Sequence, residues 1–147
     1  MRTATLLLTL LASPIFAEGG RVAPVTDETA KAECSACHIA YPAGFLPAAS
    51  WSAVMGDLSN HFGEDASLPD EVVRRIEDYL VTHAADAGGR NWRGLDPADP
   101  PLRITGLAWF EREHSREVSS RAKARAGSMS NCTACHQGAE MGYFEDD

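Results

Sequence analysis

Cys34-Ser35-Ala36-Cys37-His38 decides how the rest of the chain is read, and Cys132-Thr133-Ala134-Cys135-His136 repeats its pattern near the other end. A C-x-x-C-H run reads as a site of covalent c-type haem attachment. The spacing has a mechanical reason. On a helix, residues i, i+3 and i+4 share one face. Two thiols one turn apart can then each add to a haem vinyl group, and the adjacent imidazole stands under the iron as its proximal ligand. The two runs use all 4 cysteines of the 147-residue chain. Zinc is held by cysteine pairs of this kind, but it does not ask for a histidine directly after each pair. Disulfides suit an exported protein, but they leave those histidines without a role. The expected cofactors are two covalently bound haem c groups. Cys34, Cys37, Cys132 and Cys135 are the thioether donors, and His38 and His136 are the proximal iron ligands.

Export is written at the N-terminus. Met1-Arg2 is positive, Thr3 to Phe16 is apolar and Leu-rich, and Ala17 precedes Glu18-Gly19-Gly20. That is the pattern of a secretory signal peptide over residues 1–17, cleaved after Ala17. The apolar run is shorter than the ~18 residues of a membrane span, and Pro14 interrupts it. The cleavage region carries no cysteine for a lipid anchor. The expected location is periplasmic, with no transmembrane segment after signal cleavage. Residues 18–147 are enough for one small domain, much of whose core would be porphyrin. The whole sequence has 13 basic and 21 acidic residues, a net charge of −8, and loss of Arg2 makes the exported chain more acidic still. Such a surface argues against nucleic acid as a partner.

The rest of the chain reads as a mostly α, single-domain, haem-templated protein, with several short helices joined by irregular loops. Gly19 to Val25 is a flexible leader. Thr26 or Asp27 caps a first helix that runs into Cys34. Tyr41-Pro42-Ala43-Gly44-Phe45-Leu46-Pro47 breaks it and forms either a loop laid against a haem edge or an ordinary connection. A second helix starts near Ser50. Trp51, Val54, Met55, Leu58 and Phe62 form its buried face, His61 lies on or beside that face, and Gly63 ends it. A third helix starts at Pro69, buries Val72, Val73, Ile76, Tyr79 and Leu80, continues that stripe with His83, and closes at Gly88-Gly89.

Arg90 to Pro101 is rich in turn formers and reads as a crossing between the two haem-binding halves. Thr105 caps a fourth helix with Leu107, Phe110 and His114 on one side and Trp109 on the flank. Arg112 to Arg125 is the most basic stretch of an acidic chain. It reads as a solvated face, with a docking patch or a counter-charge to haem propionates as the sharper alternatives. The chain ends in the acidic Glu145-Asp146-Asp147, shows no strand pattern, and has halves that are not otherwise duplicated.

Each iron has one axial position beyond its proximal histidine, and what fills it separates electron carrier from catalyst. By residue type the candidates are His61, His83 and His114, with Met55, Met129 and Met141 as sulfur alternatives. An enzyme would leave one iron open beside an acid or base such as Glu64 or Glu113, though ordinary surface carboxylates explain both. A small-ligand sensor for nitric oxide or oxygen would hold one distal ligand loosely, with His83 or His114 in that part.

Beyond the two motifs, the chain resembles the small dihaem cytochromes c of bacteria, often called the DHC family. The likeness rests on Cys34 to Pro47, Trp51, His61-Phe62-Gly63, Ala66-Ser67-Leu68 and Tyr79-Leu80. It continues over Arg103-Ile104-Thr105, Trp109-Phe110, His114, Cys132 to His136, Ala139-Glu140, Gly142 and Phe144. The resemblance covers most of residues 18–147. It implies bis-histidine ligation of both haems with His61 and His114 as the distal ligands, and it leaves His83 as runner-up. It also implies a periplasmic electron-transfer protein, not an enzyme, with no catalytic residues. Its expected partners are redox proteins: a small oxygen-binding haem protein and a membrane cytochrome with b-type haem. The simplest pairing gives each haem its sequence-near distal ligand; a crossed pairing is the alternative.

Overall fold

The computed structural model describes residues 21–89 and 96–145. The expected signal segment, residues 1–17, lies outside the described residues, as do 90–95 of the expected crossing and Asp146-Asp147 of the tail. Among the described residues there are five α-helices joined by turns and 3-10 segments: α1 (Glu28–Cys34), α2 (Ala48–Met55), α3 (Asp70–Thr82), α4 (Ala108–Glu117) and α5 (Ser120–Ala126). Backbone pairing of the strand type is limited there to two isolated bridges, Arg21 with Tyr143 and His61 with Glu64. The mostly helical class expected from the sequence is the one observed.

Local chemistry explains where the helices begin. Asp27 caps α1: its side chain accepts the Ala30 N–H at 2.9 Å, satisfying a donor that no helical carbonyl can reach. The same carboxylate meets the Arg75 guanidinium on α3 at 3.0 Å and so joins two helices. α2 follows Pro47 with no side-chain cap of its own. Its first N–H, on Ala48, is taken instead by the Asp86 carboxylate at 2.8 Å, from beyond the end of α3. α3 follows Pro69 with Asp70 and Glu71 in its first turn, where the helix dipole favours negative charge.

Apolar packing closes the helices around one cluster. Ile76 and Leu80 of α3 and Trp51 and Met55 of α2 are buried with Ala30 of α1, Phe110 of α4 and Leu107 at the α4 cap. Trp51 donates its indole N–H to the Ala43 carbonyl at 2.8 Å, so this buried polar group is paired. The 41–47 loop is part of this core. Pro42, Ala43, Phe45, Leu46 and Pro47 are all buried. Phe45 meets Trp109 at 5.6 Å and Phe144 at 4.9 Å between ring centres, which joins the first half of the chain to the second. The two ends of the described residues are joined as well: the Val22 N–H donates to the Gly142 carbonyl at 2.9 Å. Gly142 has φ of +81°, and a Cβ there would fall 1.9 Å from the Val22 carbonyl oxygen, so only glycine fits.

Four expectations are corrected. The second helix does not run from Ser50 to Phe62. It spans Ala48–Met55, Gly56 caps it, and the chain continues through a 3-10 turn, Leu58–Asn60. Phe62 is therefore not buried; it has φ of +58°, is 44% exposed, and lies under the Arg103 guanidinium at 4.1 Å. His83 does not continue the α3 stripe inward. It is the C-cap residue and is exposed, because α3 ends before another turn can carry it to the core. Thr105 does not cap α4; it sits in the 3-10 turn Ile104–Gly106, and Leu107 stands at the cap without a side-chain bond.

Candidate functional site

Neither C-x-x-C-H run lies on a continuous helix, although α1 runs into the first one as expected. Cys34 is the last residue of α1, and Ser35 to Cys37 form a turn. In the second run a 3-10 turn spans Cys132–Ala134, and the N–H groups of Cys135 and His136 both donate to the Cys132 carbonyl, at 3.1 and 2.8 Å. Serine, threonine, cysteine and histidine are weak helix formers. A single hydrogen-bonded turn is enough to keep the i, i+3, i+4 spacing the chemistry needs. All four thiols are free; Cys34 and Cys132 are half-buried, while Cys37 and Cys135 are exposed. Burial pushes the Cys34 thiol up, with Glu33 adding to it, and burial pushes Cys132 up as well.

The histidines are sorted by the fold into pairs. The His38 and His61 ring centres are 6.1 Å apart and 24° from parallel. Those of His114 and His136 are 6.2 Å apart with planes at 84°. A metal–imidazole bond is about 2 Å, and a five-membered ring with sides near 1.35 Å places its centre about 1.1 Å behind the bonded nitrogen. Two imidazoles on opposite sides of one iron therefore have centres about 6.2 Å apart. Both pairs have this separation, so the donor set fits two haems with two axial imidazoles each. The sequence-near pairing is the one whose rings meet.

Hydrogen bonds leave the correct nitrogen available. Nδ1 of His38 contacts the Ile39 carbonyl at 2.6 Å, that of His114 the Phe110 carbonyl at 2.8 Å, and that of His136 the Glu145 carbonyl at 3.3 Å. A carbonyl can only accept, so Nδ1 carries the proton and Nε2 presents its lone pair, the tautomer suited to a metal ligand. His114 is also stacked on Phe110, centres 3.9 Å apart and 11° from parallel. That explains why Leu107, Phe110 and His114 share one side of α4, as the sequence period required. His61 is placed by its backbone. Its N–H donates to the Glu64 carbonyl at 2.8 Å, and the Glu64 N–H returns the bond at 3.2 Å around Phe62-Gly63. Burial, then the neighbouring His38, then Arg103 lower the His61 pKa and keep the ring neutral.

His83 is directed elsewhere. Its ring lies on Tyr79, centres 4.4 Å apart, and its Nδ1 meets the Tyr79 carbonyl at 2.8 Å. Of the sulfur candidates, Met55 is buried in the apolar core, Met129 packs beside it, and Met141 is 63% exposed. In the basic stretch, Arg112 pairs with Glu113 at 3.1 Å, and Arg121, Lys123 and Arg125 are exposed. Glu64 and Glu113 are exposed too.

Three further residues stand around the site, all in stretches that carry the family resemblance but with no role assigned there. Phe144 packs between Phe45 and His136, 5.7 Å from the latter. Arg103 brings a positive charge to the His61 turn. Tyr41 stacks on His38 and donates its hydroxyl to the Ser130 carbonyl. Burial pushes the Tyr41 phenol up, so it remains a donor. Its short spacing from His38 and its place in the 41–47 loop are the sequence signals that point to it.

The sequence over residues 30–144 matches the family model for dihaem cytochrome c. The fold is similar to that of a dihaem cytochrome c from Rhodobacter sphaeroides, with a TM-score of 0.78 and 58% identity, covering 84% of this chain and 100% of that one. A structure of DHC purified from R. sphaeroides gives a TM-score of 0.74 and 55% identity over 82% of this chain and 99% of that chain. A dihaem c-type cytochrome from Shewanella baltica gives 0.67 and 42%, over 80% and 86%. No curated protein matches the sequence.

Proposed function

Since the chain belongs to the dihaem cytochrome c family, we propose that it is a periplasmic electron-transfer protein with both irons held between two histidines, His38 with His61 and His114 with His136. The observation that carries this reading is the near-equal separation of the two ring pairs, 6.1 and 6.2 Å. When bound, each haem supplies a one-electron ferric/ferrous couple. The protein's part is to hold and tune. Cys34, Cys37, Cys132 and Cys135 anchor the groups covalently. The carbonyls of Ile39, Phe110 and Glu145 fix the tautomers of three of the four imidazoles. With both axial positions taken by side chains, no position is left for a substrate, and the chain performs no bond chemistry. Histidine in place of a thioether as sixth ligand favours ferric iron, so both potentials lie below those of a His/Met cytochrome c.

Location and partners follow the same reading. The positive start, the apolar run and Ala17 support export, and no helix among the described residues is long and apolar enough to cross a membrane. The redox partners this reading brings with it are a small oxygen-binding haem protein and a membrane cytochrome with b-type haem. An acidic surface steers such encounters electrostatically, so transfer rates should fall or rise with salt according to the partner's sign. The test is optical. Purified holoprotein should show low-spin bands from two haems, no methionine charge-transfer band, and no change when carbon monoxide is added to the reduced form. A high-spin fraction or carbon monoxide binding in the wild type would overturn the carrier assignment.

A further inference from the structure

Tyr41 touches both sites. Its ring stacks on His38, with centres 4.7 Å apart and planes 19° from parallel. Its hydroxyl donates to the Ser130 carbonyl at 2.8 Å. That same carbonyl accepts the N–H of Cys132 at 3.0 Å, and Cys132 opens the second attachment turn. One side chain therefore reaches from the imidazole of the first site to the cysteine turn of the second, across a sequence separation of 89 residues.

Two contacts restrain the His38 plane. The Nδ1–H lies in the ring plane, so its bond to a fixed carbonyl limits how far the ring can turn, and a flat neighbour at stacking distance limits it from the face. His38 has both: the Ile39 carbonyl on Nδ1 and the Tyr41 ring against its face. The phenol is itself held at its far end by Ser130, so the plane of His38 is referred to the second site. We propose that Tyr41 is a positioning residue shared by the two haem sites, its ring setting the plane of His38 and its hydroxyl registering that plane to the Ser130–Cys132 segment. This rests on the ligation proposed above, and the experiment separates the two.

The angle between axial imidazole planes governs the anisotropy of a low-spin ferric haem. Near-parallel planes separate the iron d orbitals and give a rhombic paramagnetic resonance signal. Near-perpendicular planes leave them almost degenerate and give a strongly anisotropic one. The His38–His61 angle of 24° belongs to the first kind. Ferric holoprotein is measured as wild type, Y41F and Y41L, with haem content and both midpoint potentials determined on the same samples. Y41F keeps the ring and loses the hydroxyl. It should retain two haems, broaden the rhombic signal and shift the midpoint of that haem. Y41L removes the stack as well and should move the signal further towards the anisotropic form. A residue that only stabilised the fold would lower the melting temperature and leave signal and midpoint in place. A wild type without two low-spin signals overturns the ligation and this role together. Two wild-type low-spin signals with Y41F indistinguishable from wild type in signal and midpoint overturn the role of Tyr41 alone.

Discussion

His38 and His61 face each other across 6.1 Å with their ring planes 24° from parallel, although one ends a cysteine turn and the other sits in a four-residue backbone turn closed by Glu64. In the proposed ligation this pair holds the first iron, so removing one ring should open one iron only. His61→Ala should convert one of two haems to a high-spin form that binds carbon monoxide, leaving the haem between His114 and His136 low-spin. His83→Ala, at an exposed residue stacked on Tyr79, should leave both low-spin. Absorption and carbon monoxide difference spectra of the two variants decide it. If His83→Ala opens an iron and His61→Ala does not, the distal assignment is reversed.

Arg103 places its guanidinium 4.1 Å from the centre of the Phe62 ring, next to His61. A positive charge near an iron disfavours the more positive ferric state. Arg103→Gln should lower the midpoint potential of the first haem by an amount on the order of tens of millivolts, damped by solvent because the side chain is exposed. Spectroelectrochemical titration at low and moderate salt reads this shift. An unchanged or raised midpoint would count against Arg103 acting on this site.

Acid should loosen α1 through Asp27. The Ala30 N–H, above all, holds its carboxyl below the ordinary value of 3.8, burial works the other way, and Arg75 adds to the lowering. A depressed folded-state pKa means the unfolded chain takes up the proton first. The stabilisation is therefore complete above about pH 4 and is lost as pH falls through the folded-state value. Asp27→Asn keeps a capping oxygen but has no proton to gain. Melting curves between pH 5 and pH 3 should show wild type losing more of its melting temperature than Asp27→Asn. Parallel curves would remove Asp27 from the acid response.

What could be read without coordinates was set by how local its cause is. The family was legible in the cysteine runs because c-type attachment demands a fixed spacing, and α3 was legible because Ile76 and Leu80 repeat at the helical period over a full stretch. Period alone misled where a helix stopped early. Leu58 and Phe62 continue the α2 pattern in phase, yet Gly56 caps the helix and Phe62 turns to φ +58° under Arg103. His83 kept the α3 phase but fell at its C-cap. The turn at Cys34 to Cys37 could not be told from a helix, since both satisfy the same spacing. The link from Tyr41 to Ser130 leaves no local trace, because its partners lie in opposite halves of the chain.

In the proposed ligation two irons are each gripped by two imidazoles, with unlike angles between the planes. Paramagnetic resonance of the oxidised, fully loaded wild type tests it most directly. It should show two low-spin ferric signals of equal intensity, one rhombic from the His38–His61 pair at 24° and one strongly anisotropic from the His114–His136 pair at 84°. A high-spin ferric signal of comparable intensity, or a single low-spin signal accounting for one iron per chain, would contradict it.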